Sequence, residues 1–205
     1  MKIEKVVVGS LYTNCYIVSN EQESLVLDPG GDLIKILETI PTLKVAGIIL
    51  THAHPDHLGA LMGLKNAYPE AKILMHKDDL LIYNQAGLAS RFYLKQGFDK
   101  LPQPDSFLSE GKLTISHFPL SIIHTPGHSP GSVCLQYQDY LFTGDTLFKN
   151  GIGRTDFPFS NKNKMKESLR KLGKLKEDLI IYPGHGEEFK LHQALLRVSG
   201  LLEES

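Results

Sequence analysis

Between His52 and His57 three imidazoles and one carboxylate fall within a single short stretch, His-Ala-His-Pro-Asp-His. The stretch follows directly on VAGIIL, residues 45–50, a continuous apolar run that suits a strand buried on both faces. After it, Leu58, Leu61, Met62 and Leu64 recur at helical spacing until Pro69, which predicts a helix. The histidines thus belong to a strand-to-helix loop, and α/β folds commonly place their ligands on such loops at the carboxyl ends of strands. Imidazole and carboxylate are ligands that Zn, Fe and Mn accept. Alternating positions on an extended loop point two imidazoles the same way, and the turn into the helix redirects the next pair, so one loop can serve two metals. The plainer alternative is a solvent-exposed loop with Asp56 as a favourable charge near a helix N-terminus.

The rest of the chain extends this α/β pattern. KIEKVVV, CYIV and SLVLDPGG read as strands, the last stopped by Pro-Gly-Gly, and LIKILETI reads as a helix through Leu33, Ile34, Leu37 and Ile40. KILM is a short strand, and residues 77–101 read as mostly helical, forming a lid or side wall or completing the outer layer. Strands resume with KLTISHF, LSIIH, SVCLQYQ and YLFTG, the last pair joined at Gln138-Asp139. A helix over about residues 162–175, the strand LIIYPG and a helix to the C-terminus follow. Two blocks of strands, each followed by helices, predict two layered sheets with helices outside rather than one doubly wound sheet. At 205 residues the chain can bury a sizeable core, and one domain over residues 1–205 is expected.

Lys plus Arg number 22 against 23 Asp plus Glu, so nothing in the net charge draws the chain toward phosphate backbones or anionic lipid. Nucleic acid and membrane are therefore not expected partners. The opening MKIEKVVVGS has too short an apolar run for a secretory signal or a membrane helix, and a cytoplasmic location is expected. Cys15 and Cys134 lie in strand-like runs and read as small buried apolar residues rather than a disulfide framework.

Three further candidate ligands stand beside glycines at predicted strand ends: His128 in HTPGHSPGS, Asp145 in LFTGDTLF and His185 in YPGHGEE. THAHPDH, TPGHSPGS, TGDT and PGHG, in this order, resemble the metallo-β-lactamase superfamily over residues 52–186. The resemblance implies a four-layered αββα sandwich with metals at one edge between the sheets. It implies His52, His54 and His128 as ligands of a first metal, Asp56, His57 and His185 as ligands of a second, and Asp145 as the bridge. Two divalent ions are expected, zinc foremost, with iron or manganese as alternatives. Metal coordination lowers the pKa of water from 15.7 to about 7, so a bridging hydroxide is the expected nucleophile, with Asp56 also orienting it.

Within the superfamily, Asp145 at the bridging position argues against antibiotic hydrolysis, and the basic elements or large additional domain usual in its nucleases are not expected. GDTLFKNGIGRTDFP together with TPGHSPGS is most similar to the short bacterial glyoxalase II group, the hydroxyacylglutathione hydrolases. That likeness implies a small-molecule thioester substrate, glutathione-linked in the manner of S-lactoylglutathione, with Arg154 at the basic substrate-binding position. An ion pair with Asp156 or Asp145 is the structural alternative for Arg154. GRTDF also resembles the persulfide dioxygenases, which use one Fe(II), and this is the rival activity; a lactonase or a non-catalytic metal-binding module ranks lower. His76 reads as a strand-end residue before a supporter of the metal shell. His117, His124 and His192 read as structural, and Tyr12, Phe92, Tyr93 and Phe148 as packed aromatics before pocket walls.

Overall fold

A computed structural model describes residues 1–95, 97–98 and 100–203, with side chains described through Val198 outside the two gaps. The chain order is β1 (Lys2–Val8), β2 (Thr13–Ser19), β3 (Glu23–Leu27), α1 (Leu33–Thr39), β4 (Lys44–Ile49), α2 (Leu61–Ala67), β5 (Lys72–His76), α3 (Leu80–Tyr93), β6 (Ser106–Leu108), β7 (Gly111–Ile115) and β8 (Phe118–His124). It continues with β9 (Val133–Tyr137), β10 (Tyr140–Gly144), β11 (Leu147–Phe148), β12 (Gly151–Ile152), α4 (Lys162–Leu172), β13 (Ile180–Pro183), β14 (Phe189–Lys190) and α5 (Leu191–Glu203).

Side-chain alternation along the strands builds the layers. In β2, Cys15 and Ile17 face an outer core shared with Ile36, Leu61, Leu64 and Ile82 from α1, α2 and α3. Tyr16 and Val18 face the other way, into a core between two sheets that also holds Leu25, Ile49, Phe118, Leu135 and Phe142. In β9, Val133 and Leu135 point into this middle core, while Cys134 joins Met165, Leu169, Ala194 and Val198 under α4 and α5. The result is the expected helix–sheet–sheet–helix sandwich. Both cysteines are fully buried and free, as the strand patterns imply.

The first sheet has the order β1-β2-β3-β4-β5-β6, antiparallel through β3 and parallel from β3 to β6. The second has the order β14-β13-β10-β9-β8-β7. There β9 runs antiparallel to both β8 and β10, and β10 runs parallel to β13, so the carboxyl ends of β8, β10 and β13 share one edge. That edge meets the carboxyl end of β4, and all of the candidate ligands leave from these four strand ends.

Several local expectations are corrected. The turn between β7 and β8 falls at Ser116-His117, with Ser116 in the left-handed region at φ 52°, and Pro119 lies inside β8 instead of breaking it. Pro119 pairs only with Thr114, beyond the point where β9 joins β8, so its missing N–H costs no interior ladder bond. The helix placed over residues 77–101 is α3, from Leu80 to Tyr93, entered by a 3-10 turn, Lys77–Asp79; two residues beyond it, 96 and 99, lie outside the described set. The residues after His57 turn once more before α2 begins at Leu61. No helix among the described residues is long and apolar enough to cross a membrane.

Candidate metal centre

Thr51 and His52 follow β4 in a bend, His54 stands on extended backbone, and Pro55–His57 form a 3-10 turn that tightens the chain and turns Asp56 and His57 another way. His128 comes from the loop after β8, Asp145 directly after β10, and His185 after β13. The structure brings all seven predicted ligands together. Ligand atoms of His52, His54 and His128 lie within 4.8 Å of one another, as do those of Asp56, His57 and His185. Asp145 lies between these triads: Oδ1 is 3.5 Å from His57 Nε2, and Oδ2 is 3.5 Å from both His128 Nε2 and His185 Nε2.

Each imidazole except His54 uses one nitrogen to lean on the protein and turns the other inward. His128 Nδ1 is 2.9 Å from the Arg154 carbonyl and His185 Nδ1 3.0 Å from the Leu11 carbonyl; a carbonyl only accepts, so these nitrogens carry a proton and Nε2 is the atom turned to the centre. His52 Nδ1 contacts Thr51 Oγ1 at 3.2 Å. His57 Nδ1 lies 3.1 Å from Asp28 Oδ2, close enough for an ion pair although off the line of a hydrogen bond. His52 Nε2, His57 Nε2 and Asp145 Oδ1 are buried with no hydrogen-bond partner among the described residues. Buried polar atoms are ordinarily satisfied, and inward lone pairs opposite carboxylates lack only a cation. The donor set therefore fits divalent metals, two nitrogen-rich triads sharing one carboxylate.

The electrostatics divide along the same lines. Burial, with His57 beside it, drives His52 well below the ordinary imidazole range, and burial with His128 takes His54 down to about 3. These rings are neutral ligands. Burial also opposes charge on His57 and His185, yet Asp56, Asp28 and Asp145 hold His57 well above its usual value, and Asp145 and Asp56 push His185 up to about 10. A cation entering here competes with those protons, so metal uptake releases protons and weakens as pH falls.

Asp28, Thr51 and Thr13 escaped the sequence reading. Asp28 accepts from Thr51 N–H and Thr51 Oγ1, both at 2.7 Å, and so fixes the start of the ligand loop as well as His57. It ends the run SLVLD just before Pro-Gly-Gly, with φ 50° in the left-handed region. Thr13 Oγ1 donates to Asp56 Oδ2 at 3.1 Å. Two glycines are required by close approach: a Cβ on Gly184 would strike Asp145 Oδ1, and one on Gly153 would meet the His128 ring and the Asp145 carbonyl.

Over residues 8–185 the sequence matches the Metallo-beta-lactamase superfamily. The chain belongs to this superfamily. A relative from Haemophilus influenzae named hydroxyacylglutathione hydrolase GloC is 36% identical over 200 residues, covering 91% of each protein. The solved structure of the BLEG-1 B3 metallo-β-lactamase superposes with a TM-score of 0.89 at 32% identity, covering 98% of this chain and 99% of that one. TTHA1623 in a di-iron-bound form gives 0.85 at 34% identity, covering 93% and 96%. At the level these relationships support, the protein is a metallo-hydrolase of the metallo-β-lactamase superfamily.

The remaining predicted residues fall around this centre. Arg154 is exposed, and its guanidinium pairs with Asp156 through Nε and Nη2 at 2.9 and 2.7 Å and lies 4.2 Å over the Phe157 ring. Phe157 in turn is 5.5 Å from His54 and 6.0 Å from His128, ring to ring. Phe148 stands 6.1 Å from His185. Tyr12, Phe92 and Tyr93, expected to be packed, are exposed. His76 ends β5, accepts from the Asp78 N–H and stacks on His124 at 4.0 Å, away from the seven ligands in sequence. His117 pairs with Glu23 and His192 contacts the Glu177 carbonyl.

Proposed function

We propose that the protein is a dinuclear thioester hydrolase of the glyoxalase II type, acting on a small glutathione-linked thioester such as S-lactoylglutathione and holding zinc. The observation that carries the reading is Asp145, whose two oxygens face ligand groups of both triads, as a bridge between two ions requires. The similarity to a protein named hydroxyacylglutathione hydrolase supports the substrate class. His52, His54 and His128 would hold one ion, Asp56, His57 and His185 the other. When bound, such a pair generates a nucleophile from water at neutral pH and polarises the acyl carbonyl.

The chain's own groups do the rest. Asp56, fixed by the Thr13 hydroxyl, orients the attacking water and accepts its hydrogen bond. Thr51 and Asp28 hold His52 and His57 so that their inward nitrogens do not swing. Arg154 sits on Phe157 at the edge of the first triad, where a cation can meet a carboxylate of the thiol carrier. Its pairing with Asp156 leaves it exposed, so a substrate carboxylate competes with Asp156 in water rather than in the interior.

The deciding experiment is an assay of metal-reconstituted protein with S-lactoylglutathione, glutathione persulfide and a β-lactam, each with and without oxygen. Thiol release from the thioester without oxygen uptake is expected. Sulfite formation tied to oxygen uptake would establish a persulfide dioxygenase instead, and turnover of the β-lactam alone would move the protein to the antibiotic-hydrolysing branch. Arg154→Ala is expected to raise KM for the glutathione thioester about tenfold, the loss of one charge-assisted bond, with kcat changed less. Unchanged kinetics would leave Arg154 as the partner of Asp156 alone.

A further inference from the structure

Asp79 is the last residue of the 3-10 turn before α3, where a carboxylate ordinarily caps the helix, yet its side chain makes no capping bond. It is fully buried and its oxygens are spent elsewhere. Oδ2 accepts from Ala53 N–H at 2.9 Å and from Ser129 Oγ at 2.7 Å, and Oδ1 accepts from the Gly131 N–H. Ala53 stands between His52 and His54; Ser129 and Gly131 stand on the loop that carries His128. One carboxylate thus ties together the two loops that supply the first triad, and it touches neither loop of Asp145 nor of His185 among its hydrogen bonds. A Cβ on Gly131 would lie 2.7 Å from the Asp79 carboxyl carbon and backbone nitrogen, so the approach depends on glycine there. Ser129 Oγ is further fixed by Ser132 Oγ at 2.8 Å.

We infer that Asp79 is a positioning residue that preforms the His52/His54/His128 subsite by clamping the Ala53 amide to the Ser129–Gly131 turn. This rests on the ligand assignment proposed above. The logic is that of other groups behind metal ligands. A buried carboxylate fixed by three donors resists displacement, because each donor it released would be left unpaired in the interior. Ligand nitrogens whose loops are held converge without paying the ordering cost at the moment of binding. Asp28 reaches both triads instead, His57 directly at 3.1 Å and His52 through the Thr51 hydroxyl, so its loss is expected to be felt at both ions, unlike that of Asp79.

The test is a zinc titration of metal-free protein against a chromophoric chelator, for the parent chain, Asp79→Asn, Ser129→Ala and Asp28→Asn. Asp79→Asn is expected to weaken one of two affinities about 10- to 100-fold and to leave the other within about twofold. Ser129→Ala, which removes one donor and is the milder change, should weaken that same ion by a smaller factor, and Asp28→Asn both ions. Equal weakening of both ions by Asp79→Asn, or no weakening in either Asp79→Asn or Ser129→Ala, overturns the inference. If Asp79→Asn fails to fold, Ser129→Ala decides alone. A parent chain that binds only one equivalent would defeat the dinuclear reading, and Asp79 would then stand or fall on the affinity for that single ion.

Discussion

At Asp145 one largely buried carboxylate faces imidazoles from three separate loops. Burial alone would raise its pKa, but His57 and His185 beside it hold it well below the usual carboxylate range, so the group is ionised at every ordinary pH. Asp145→Ala is expected to reduce bound metal below two equivalents and activity by about a hundredfold or more, the loss of a direct ligand exceeding that of a supporting group. Asp145→Asn keeps the shape and removes the charge, so it separates packing from electrostatics. Normal metal content by elemental analysis in either variant would reject the bridging role. Gly184→Ala makes a related point without touching a ligand. Its methyl would press on Asp145 Oδ1, the His57 ring and the Gly144 backbone, and metal content should fall together with the metal-dependent part of the thermal stability.

Between elements, the turn joining β7 to β8 is held onto the first sheet by Glu23 at the start of β3. Its carboxylate accepts from His117 N–H at 2.9 Å and from Ser116 Oγ at 2.8 Å, and its side chain is only 4% exposed. Burial would raise its pKa, but the His117 amide and the Ser116 hydroxyl outweigh burial and hold it below the ordinary value. A depressed folded-state pKa means the contribution is present above the unfolded value, about 4.3, and is lost as pH falls through the folded one. Glu23→Gln should therefore cost about 1–3 kcal/mol in urea unfolding at pH 7, and the gap from the parent chain should narrow below about pH 4. A gap that stays constant down to pH 3 would show that the carboxylate's charge plays no part. The same region shows what the sequence carried and what it did not. Cys15–Val18 in β2 and Val133–Leu135 in β9 were legible as apolar runs, because their successive side chains alternate between two cores. KLTISHF hid the β7–β8 turn at Ser116-His117, because Ser116 takes the left-handed conformation without a glycine to mark it. β6, β11, β12 and β14 are two or three residues long, too short to show a period. Nothing local to Asp79 reveals that its partners lie 26 and about 50 positions away.

For the molecule as a whole, the centre joins what the strands leave apart. His52, His54, Asp56 and His57 come from the loop after β4 in one sheet, while His128, Asp145 and His185 come from strand ends of the other. The middle core already holds the sheets together through Tyr16, Ile49, Phe118 and Phe142, so the protein does not depend on metal for its layers. What metal adds is a clamp at one edge, where two carboxylates and several unpartnered nitrogens otherwise face one another. Anything that binds only the folded state stabilises it by mass action, roughly 2.7 kcal/mol at a hundred times Kd, which in a chain of this length raises Tm by about 5–10 °C. Zinc added to metal-free protein should produce a rise of that order, and Asp145→Ala should lose most of it. Hydrogen exchange should localise the effect: amides after the ends of β4, β8, β10 and β13 become protected on metal addition, while those of β2 and β9 change little because the surrounding apolar layers already protect them. Uniform protection across both sheets would mean instead that the ions hold the whole sandwich together, and the middle core would then contribute less than its burial implies.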